Sequence, residues 1–246
     1  MSEHGELFAG HDAVDFGCSK GGSLKFACTA LGASNPVGID IDPKKVRITT
    51  DAGFKAAVCD GTSFVKSLRP NCVRFCTMMH FLEHLPSKSH VLKAVESAVH
   101  IAEKYVFIRQ PWFDADDYLA SIGCKFYWSD WSGHTCHVLM KDMLDIISTI
   151  GANSNVTLYV NIYGRGPVCS STSDLILPLG AGRNLHAYER SRDGEKPSCD
   201  LRPRSVYREL QVFICKDRET LDVLHRVHGK NTHLFYSLVV NYGEPV

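Results

Sequence analysis

Short, mostly apolar runs recur along the first half of the chain, each separated from the next by a stretch with helical periodicity. Residues 13–16, 37–40, 57–59, 73–77 and 105–109 read as strands. Near-continuous apolar character, rather than strict alternation, is the pattern of strands covered on both faces. The clearest intervening helix is 88–103, where Val91, Leu92, Val95, Val99 and Ala102 form one inward-facing stripe. Such alternation implies an α/β fold, a parallel sheet between two layers of helices, with ligands at the carboxyl ends of the strands. Two later runs, 156–163 and 210–215, also read as strands and bring the expected sheet to seven.

The first strand–helix–strand unit carries the most chemistry. Residues 13–42 read AVDFGCSKGGSLKFACTALGASNPVGIDID: a strand holding Asp15, a glycine-rich turn, a helix, and a strand ending in Asp40. Gly17, Gly21 and Gly22 let the backbone turn sharply and approach a ligand closely. The following helix points free N–H groups and a positive dipole end at the same place. An acid at the second strand end suits ribose hydroxyls, so a nucleoside-containing ligand is expected. The dinucleotide fingerprint wants glycine where Ser19 stands, which argues against NAD. Residues 17–21 also satisfy G-x-S-x-G, the nucleophile elbow of serine hydrolases. That elbow follows several strands, whereas only sixteen residues precede Gly17.

The turn resembles the first motif of the class I S-adenosylmethionine-dependent methyltransferases, and further resemblances follow in order. Gly38–Asp42 is similar to the second motif, 57–61 to the third, and 73–85, VRFCTMMHFLEHL, to the fourth. The resemblance implies S-adenosyl-L-methionine as cofactor and a Rossmann-like, mostly parallel seven-stranded sheet closed by an antiparallel pair. Asp15, Gly17, Cys18, Ser19, Lys20, Gly21 and Gly22 would hold the methionine part. Asp40 and Ile41 would meet the ribose, Asp60 and Gly61 the adenine, with Met79 and His80 at the fourth strand end. One departure stands out: many relatives have Asp at the start of the fourth strand, where this chain has Arg74.

Composition narrows the partners. Of 246 residues 44% are hydrophobic, enough for a full core in a single domain. Lys plus Arg and Asp plus Glu are 27 each, so no net charge drives phosphate binding, and nucleic acid is not expected as substrate. The Asn-Pro-Pro-Tyr type of motif carried by amino-directed DNA methyltransferases is missing. No secretory leader or apolar run of about eighteen residues appears, so neither export nor a membrane span is expected. Ten scattered cysteines without Cys-x-x-Cys suit a reducing cytoplasm, with Cys28, Cys59 and Cys76 as small hydrophobes. Nor is a metal expected. His80–His84 matches H-x-x-E-H, but Pro86 leaves no room for the helix that zinc motif needs, and Cys136 with a histidine offers too few ligands.

Beyond the fifth strand, residues 110–137 form a connection far longer than an ordinary loop of about 4–6 residues. It holds Trp112, Trp128 and Trp131 with Phe113, Tyr118, Phe126 and Tyr127, and Asp114 is placed to cap a short helix ending at Gly123. Two readings stay open: core packing, or an aromatic lid or substrate loop over the acceptor. His134 and His137 close the segment just before a helix starting near Val138. Either is a candidate general base for methyl transfer to a hydroxyl, His137 being slightly favoured. Residues 164–205, rich in Gly, Pro, Ser and Arg, read as an insertion between the last two strands, where Arg165, Arg183, Arg190 and Arg192 could meet an anionic acceptor. The pattern of 217–246 gives no placement. The expected activity is O-methylation of a small molecule or glycan. The alternative is a catalytically silent, cofactor-binding or partner subunit of the same fold. Oligomeric state is not legible.

Overall fold

The computed structural model of the chain describes residues 8–63, 68–183 and 186–241. The first unit forms as expected: β1 (Ala13–Phe16), α1 (Gly22–Leu31) and β2 (Pro36–Asp40). Helix α1 stops at Gly32, whose φ of 70° is the left-handed C-terminal conformation that glycine adopts without strain. Next comes α2 (Pro43–Asp51), with proline in its first turn and the Asp42 side chain accepting from the Lys44 backbone N–H. Then follow β3 (Lys55–Val58), β4 (Val73–Met79), a 3-10 turn (Leu82–His84), α3 (Lys88–Ile101) and β5 (Ala102–Pro111). Ala102 therefore belongs to a strand and not to the helical stripe.

The long connection folds into α4 (Asp116–Ser121) and β6 (Cys124–Phe126), and α5 (Met140–Asn153) follows it. Asp114 does not cap α4. Its carboxylate accepts from the backbone N–H of Met140, at 3.0 and 3.1 Å, and so fastens the start of α5. The second half is β7 (Leu158–Pro167), β8 (Ile176–Pro178), α6 (Arg190–Asp193), β9 (Tyr207–Cys215), α7 (Arg218–His228) and β10 (Thr232–Val240).

The main sheet has eight strands, in the order β10-β7-β9-β5-β4-β1-β2-β3. The expected count of seven is corrected by β10, which pairs antiparallel with the outer edge of β7. It lies in the stretch whose apolar pattern gave no placement, and residues 242–246 of that stretch are outside the described ones. Strands β1 to β5 pair in parallel, while β9 runs antiparallel to both β5 and β7. A separate two-stranded sheet joins β6 to β8, tying the aromatic connection to the segment between β7 and β9. Trp112, Tyr163, Phe16, Phe75 and Phe107 are among the largest fully buried side chains. Among the described residues no helix is long and apolar enough to cross a membrane.

Candidate functional site

Five parallel strands end on one side of the sheet, and the residues just beyond their ends meet there. Gly17 and Ser19 follow β1, Asp40 ends β2 and Ile41 follows it, Asp60 and Gly61 lie beyond β3, and His80 follows β4. All seven line one cavity of about 390 Å³. Geometry rather than local sequence gathers them: parallel pairing places every carboxyl end on the same edge.

The turn after β1 is fastened to its neighbours on both sides. Ser19, itself in the left-handed region at φ 48°, donates its backbone N–H to Oδ2 of Asp40 at 2.9 Å. The Asp42 N–H donates to the other Asp40 oxygen at 3.0 Å, and Thr49 donates its hydroxyl to the Ser19 carbonyl at 2.7 Å. Each carboxylate oxygen of Asp40 carries two lone pairs, so one on each is left for a ligand's hydroxyls. Gly17 has φ 70°, and a Cβ there would run into the Phe81 ring, so only glycine keeps this approach open. Ile41 is 73% exposed at the cavity wall, an apolar face for a flat ring.

Asp15 does not reach the cavity surface. Its carboxyl is buried, accepting from the Ser23 hydroxyl of α1 and, at 2.6 Å, from the Thr77 hydroxyl of β4. Burial pushes its pKa up to about 7, against the downward pull of the two hydroxyl donors and with the help of the nearby Asp40 charge. Cys18 is also buried, and Gly21, Gly22 and Met79 line neither of the two cavities described here. Gly21 is buried as well, Gly22 is exposed, and Met79 packs against the apolar core. Arg74, at the opposite end of β4, donates to the Gly32 carbonyl and pairs with Asp12 at 3.5 Å, well away from the site.

A second, more open cavity of about 650 Å³ adjoins the first, and Ser19, Lys45, His80 and His84 line both. Lys20 lies at its rim. Tyr127, Trp128 and Trp131 form one wall. The aromatic connection therefore divides. Trp112 is buried against Tyr207 and Phe235, with centroids 5.1 and 5.6 Å away, whereas Trp131 stands half-buried at the cavity. His134 also lines this cavity, but His137 does not. His137 stacks on Phe113 at 4.1 Å with Nδ1 3.7 Å from Asp116. Burial lowers the pKa of both histidines.

The floor of the second cavity is strongly ionic. His80, at φ 51°, puts its ring between two carboxylates, Nδ1 3.5 Å from Glu83 and Nε2 3.4 Å from Glu209. Burial disfavours the charged ring, but the two carboxylates outweigh it and lift the His80 pKa to about 9. Glu209 also pairs with Arg165 at 2.7 Å and Arg109 at 3.7 Å. Burial would raise its carboxyl, yet these neighbours hold it down at about 2. Arg190 and Arg192 pair instead with Glu195, Glu189 and Asp193 in and around α6. Lys45, Glu83, Arg208 and Glu209 were not expected at a site. Arg208 and Glu209 arrive because β9 is antiparallel: its beginning lies beside Pro111, the end of β5. That register is set by the sheet and has no local signature.

No protein-family model matches the chain, and no curated protein matches it in sequence. Solved structures do. A S-adenosylmethionine-dependent methyltransferase from Archaeoglobus fulgidus aligns with TM-score 0.56 at 18% identity, covering 86% of this chain and 89% of that one. One from Methanosarcina mazei gives 0.50 at 13%, with 88% and 98% covered. The YcgJ protein of Bacillus subtilis gives 0.50 at 14%, with 88% and 96% covered. The chain has the fold of the class I S-adenosylmethionine-dependent methyltransferases.

Proposed function

We propose that the protein is a S-adenosylmethionine-dependent methyltransferase that methylates an oxygen of a small molecule or glycan. The observation that carries the reading is the pair of adjoining cavities: one built from the strand ends and lined by Asp40, the other aromatic and ionic. The residues present fit such a cofactor. Asp40 keeps lone pairs for a ribose, Ile41 offers an apolar face, and Gly17 leaves bare backbone where a side chain would clash.

When bound, the cofactor supplies a methyl group on a sulfonium, which leaves as a neutral thioether. The protein's own part is alignment and desolvation, because an in-line displacement gains most from a fixed near-attack geometry. Trp131 and Tyr127 offer faces for a sugar or a planar acceptor and keep water away from the reacting atoms. Of the two candidate histidines, His134 is the one at the cavity wall. Its Nδ1 lies 2.9 Å from the Trp128 carbonyl and donates to it, which leaves Nε2 for an acceptor's hydroxyl. Residues 110–137 would act as the substrate loop, and the segment 164–205, joined to it through β6 and β8, as an insertion supporting it.

Titration calorimetry with S-adenosylhomocysteine tests the cofactor half of this reading: saturable binding is expected, and its absence sinks the reading. Transfer of labelled methyl to a panel of hydroxyl-bearing small molecules and oligosaccharides tests the acceptor half. Labelling only of nitrogen or carbon acceptors would refute oxygen as the target.

A further inference from the structure

Glu83, His84 and His134 each offer a ligand atom, and these atoms all lie within 4.8 Å of one another. Glu83 and His84 belong to the 3-10 turn after β4, while His134 comes from the end of the aromatic connection. Two bonds hold the segments together: the Cys136 N–H donates to the Glu83 carbonyl at 3.1 Å, and the Thr135 hydroxyl to the Leu85 carbonyl at 2.8 Å.

Three independent features mark the group as prepared for a cation. First, the Glu83 side chain is 0% exposed, and neither carboxylate oxygen receives a hydrogen bond. A buried carboxylate in that state is costly unless a positive partner completes it, and His80, with Nδ1 3.5 Å from Oε1, makes no hydrogen bond to either oxygen. Second, both imidazoles are held in the same way. His84 Nδ1 lies 2.7 Å from the Gly133 carbonyl, and His134 Nδ1 lies 2.9 Å from the Trp128 carbonyl. A carbonyl only accepts, so each Nδ1 carries a hydrogen, and in the neutral tautomer that this fixes the lone pair is on Nε2. This tether of the second ring nitrogen to a backbone carbonyl is what orients imidazole ligands at metal centres. Third, all three residues line the larger cavity, so an ion there would stay open to incoming ligands.

We propose that Glu83, His84 and His134 form a divalent metal site in the wall of the acceptor cavity. Two imidazoles and one carboxylate suit zinc, manganese, iron or cobalt better than calcium or magnesium, which prefer all-oxygen sets. Three protein ligands leave coordination positions for oxygens of water or of an acceptor. The role that follows rests on the methyltransferase reading. An acceptor hydroxyl bound to the ion loses its proton to solvent more readily, as metal-bound water does. Its oxygen then forms the C–O bond as the S–CH3 bond breaks, and that electron pair stays on sulfur. His134 in this arrangement serves the ion, and coordination replaces a general base.

The test uses the full-length, untagged chain after treatment with a chelator. Cobalt(II) is titrated alone, followed by its visible absorption and by calorimetry. A single saturable site is expected, with Glu83→Gln and His134→Gln each weakening it by at least roughly 10–100-fold, the range already seen when only a ligand's supporting partner is lost. S-adenosylhomocysteine is titrated into the same variants, and affinity within about twofold of the unsubstituted chain is expected, since neither residue lines the first cavity. No cobalt site, or one that both folded variants retain, overturns the proposal. Should Glu83→Gln fail to fold, His134→Gln alone decides the matter. Cobalt binding without S-adenosylhomocysteine binding would keep the metal site and reject the methyltransferase reading, so the two failures are distinguishable.

Discussion

The backbone N–H of Ser19 donates to the Asp40 carboxylate at 2.9 Å, so the glycine turn after β1 and the acid ending β2 are one structural unit. A single carboxylate thereby shapes the turn and faces the cavity.

Replacing Asp40 therefore has two consequences. Asp40→Ala is expected to weaken S-adenosylhomocysteine binding by at least roughly tenfold, since hydrogen bonds to a charged group are worth about 1.5–3 kcal/mol each. It also frees the Ser19 amide. Calorimetry on the folded variant checks this, and unchanged affinity would remove Asp40 from the site.

Asp15 makes stability depend on pH. Its folded pKa is about 7 against an ordinary value of 3.8, because burial disfavours the charge. Below the ordinary carboxyl range both folded and unfolded chains hold the proton, and the full stability is present. Between 3.8 and about 7 only the folded chain retains it, so this contribution falls as pH rises, by at most about 1.4 kcal/mol per pH unit. Above about 7 the charge is buried and the loss is complete. Asp15→Asn should therefore gain stability relative to the unsubstituted chain between pH 5 and 8. Denaturant melts across that window giving two parallel curves would contradict this.

Gly17 is held at φ 70° against the Phe81 ring. Gly17→Ala combines a left-handed non-glycine residue, worth about 1–2 kcal/mol, with overpacking, worth about 1–3 kcal/mol, and should lower the melting temperature together with cofactor affinity. In the double variant with Phe81→Ala, the combined loss should be smaller than the sum of the single losses. Strict additivity would show that the ring is not what restricts position 17.

His137 stacks on Phe113 and lines neither cavity. His137→Ala should destabilise the fold by about 0.5–1.5 kcal/mol, the usual worth of an aromatic pair, and leave S-adenosylhomocysteine affinity unchanged. A loss of affinity without a change in melting temperature would reverse that assignment.

What the sequence determined by itself is local. Residues 13–16 are a strand as read, the glycine turn and Asp40 stand where the spacing placed them, and the helix begun at Lys88 ends within two residues of its expected end. Apolar runs, glycines needing positive φ and caps are near-neighbour effects, and a sequence displays them directly. Tertiary structure decided the rest. Strand β10 joins the sheet because the outer edge of β7 accepts it, and its half-exposed pattern resembles a surface element. Glu209 reaches His80 only through the antiparallel register of β9 against β5. The histidine next to Glu83 and His84 lies fifty residues beyond His84, and the choice between His134 and His137 turns on which ring Phe113 stacks. Long-range pairing sets which distant side chains meet, and no short window of sequence contains both members of such a pair.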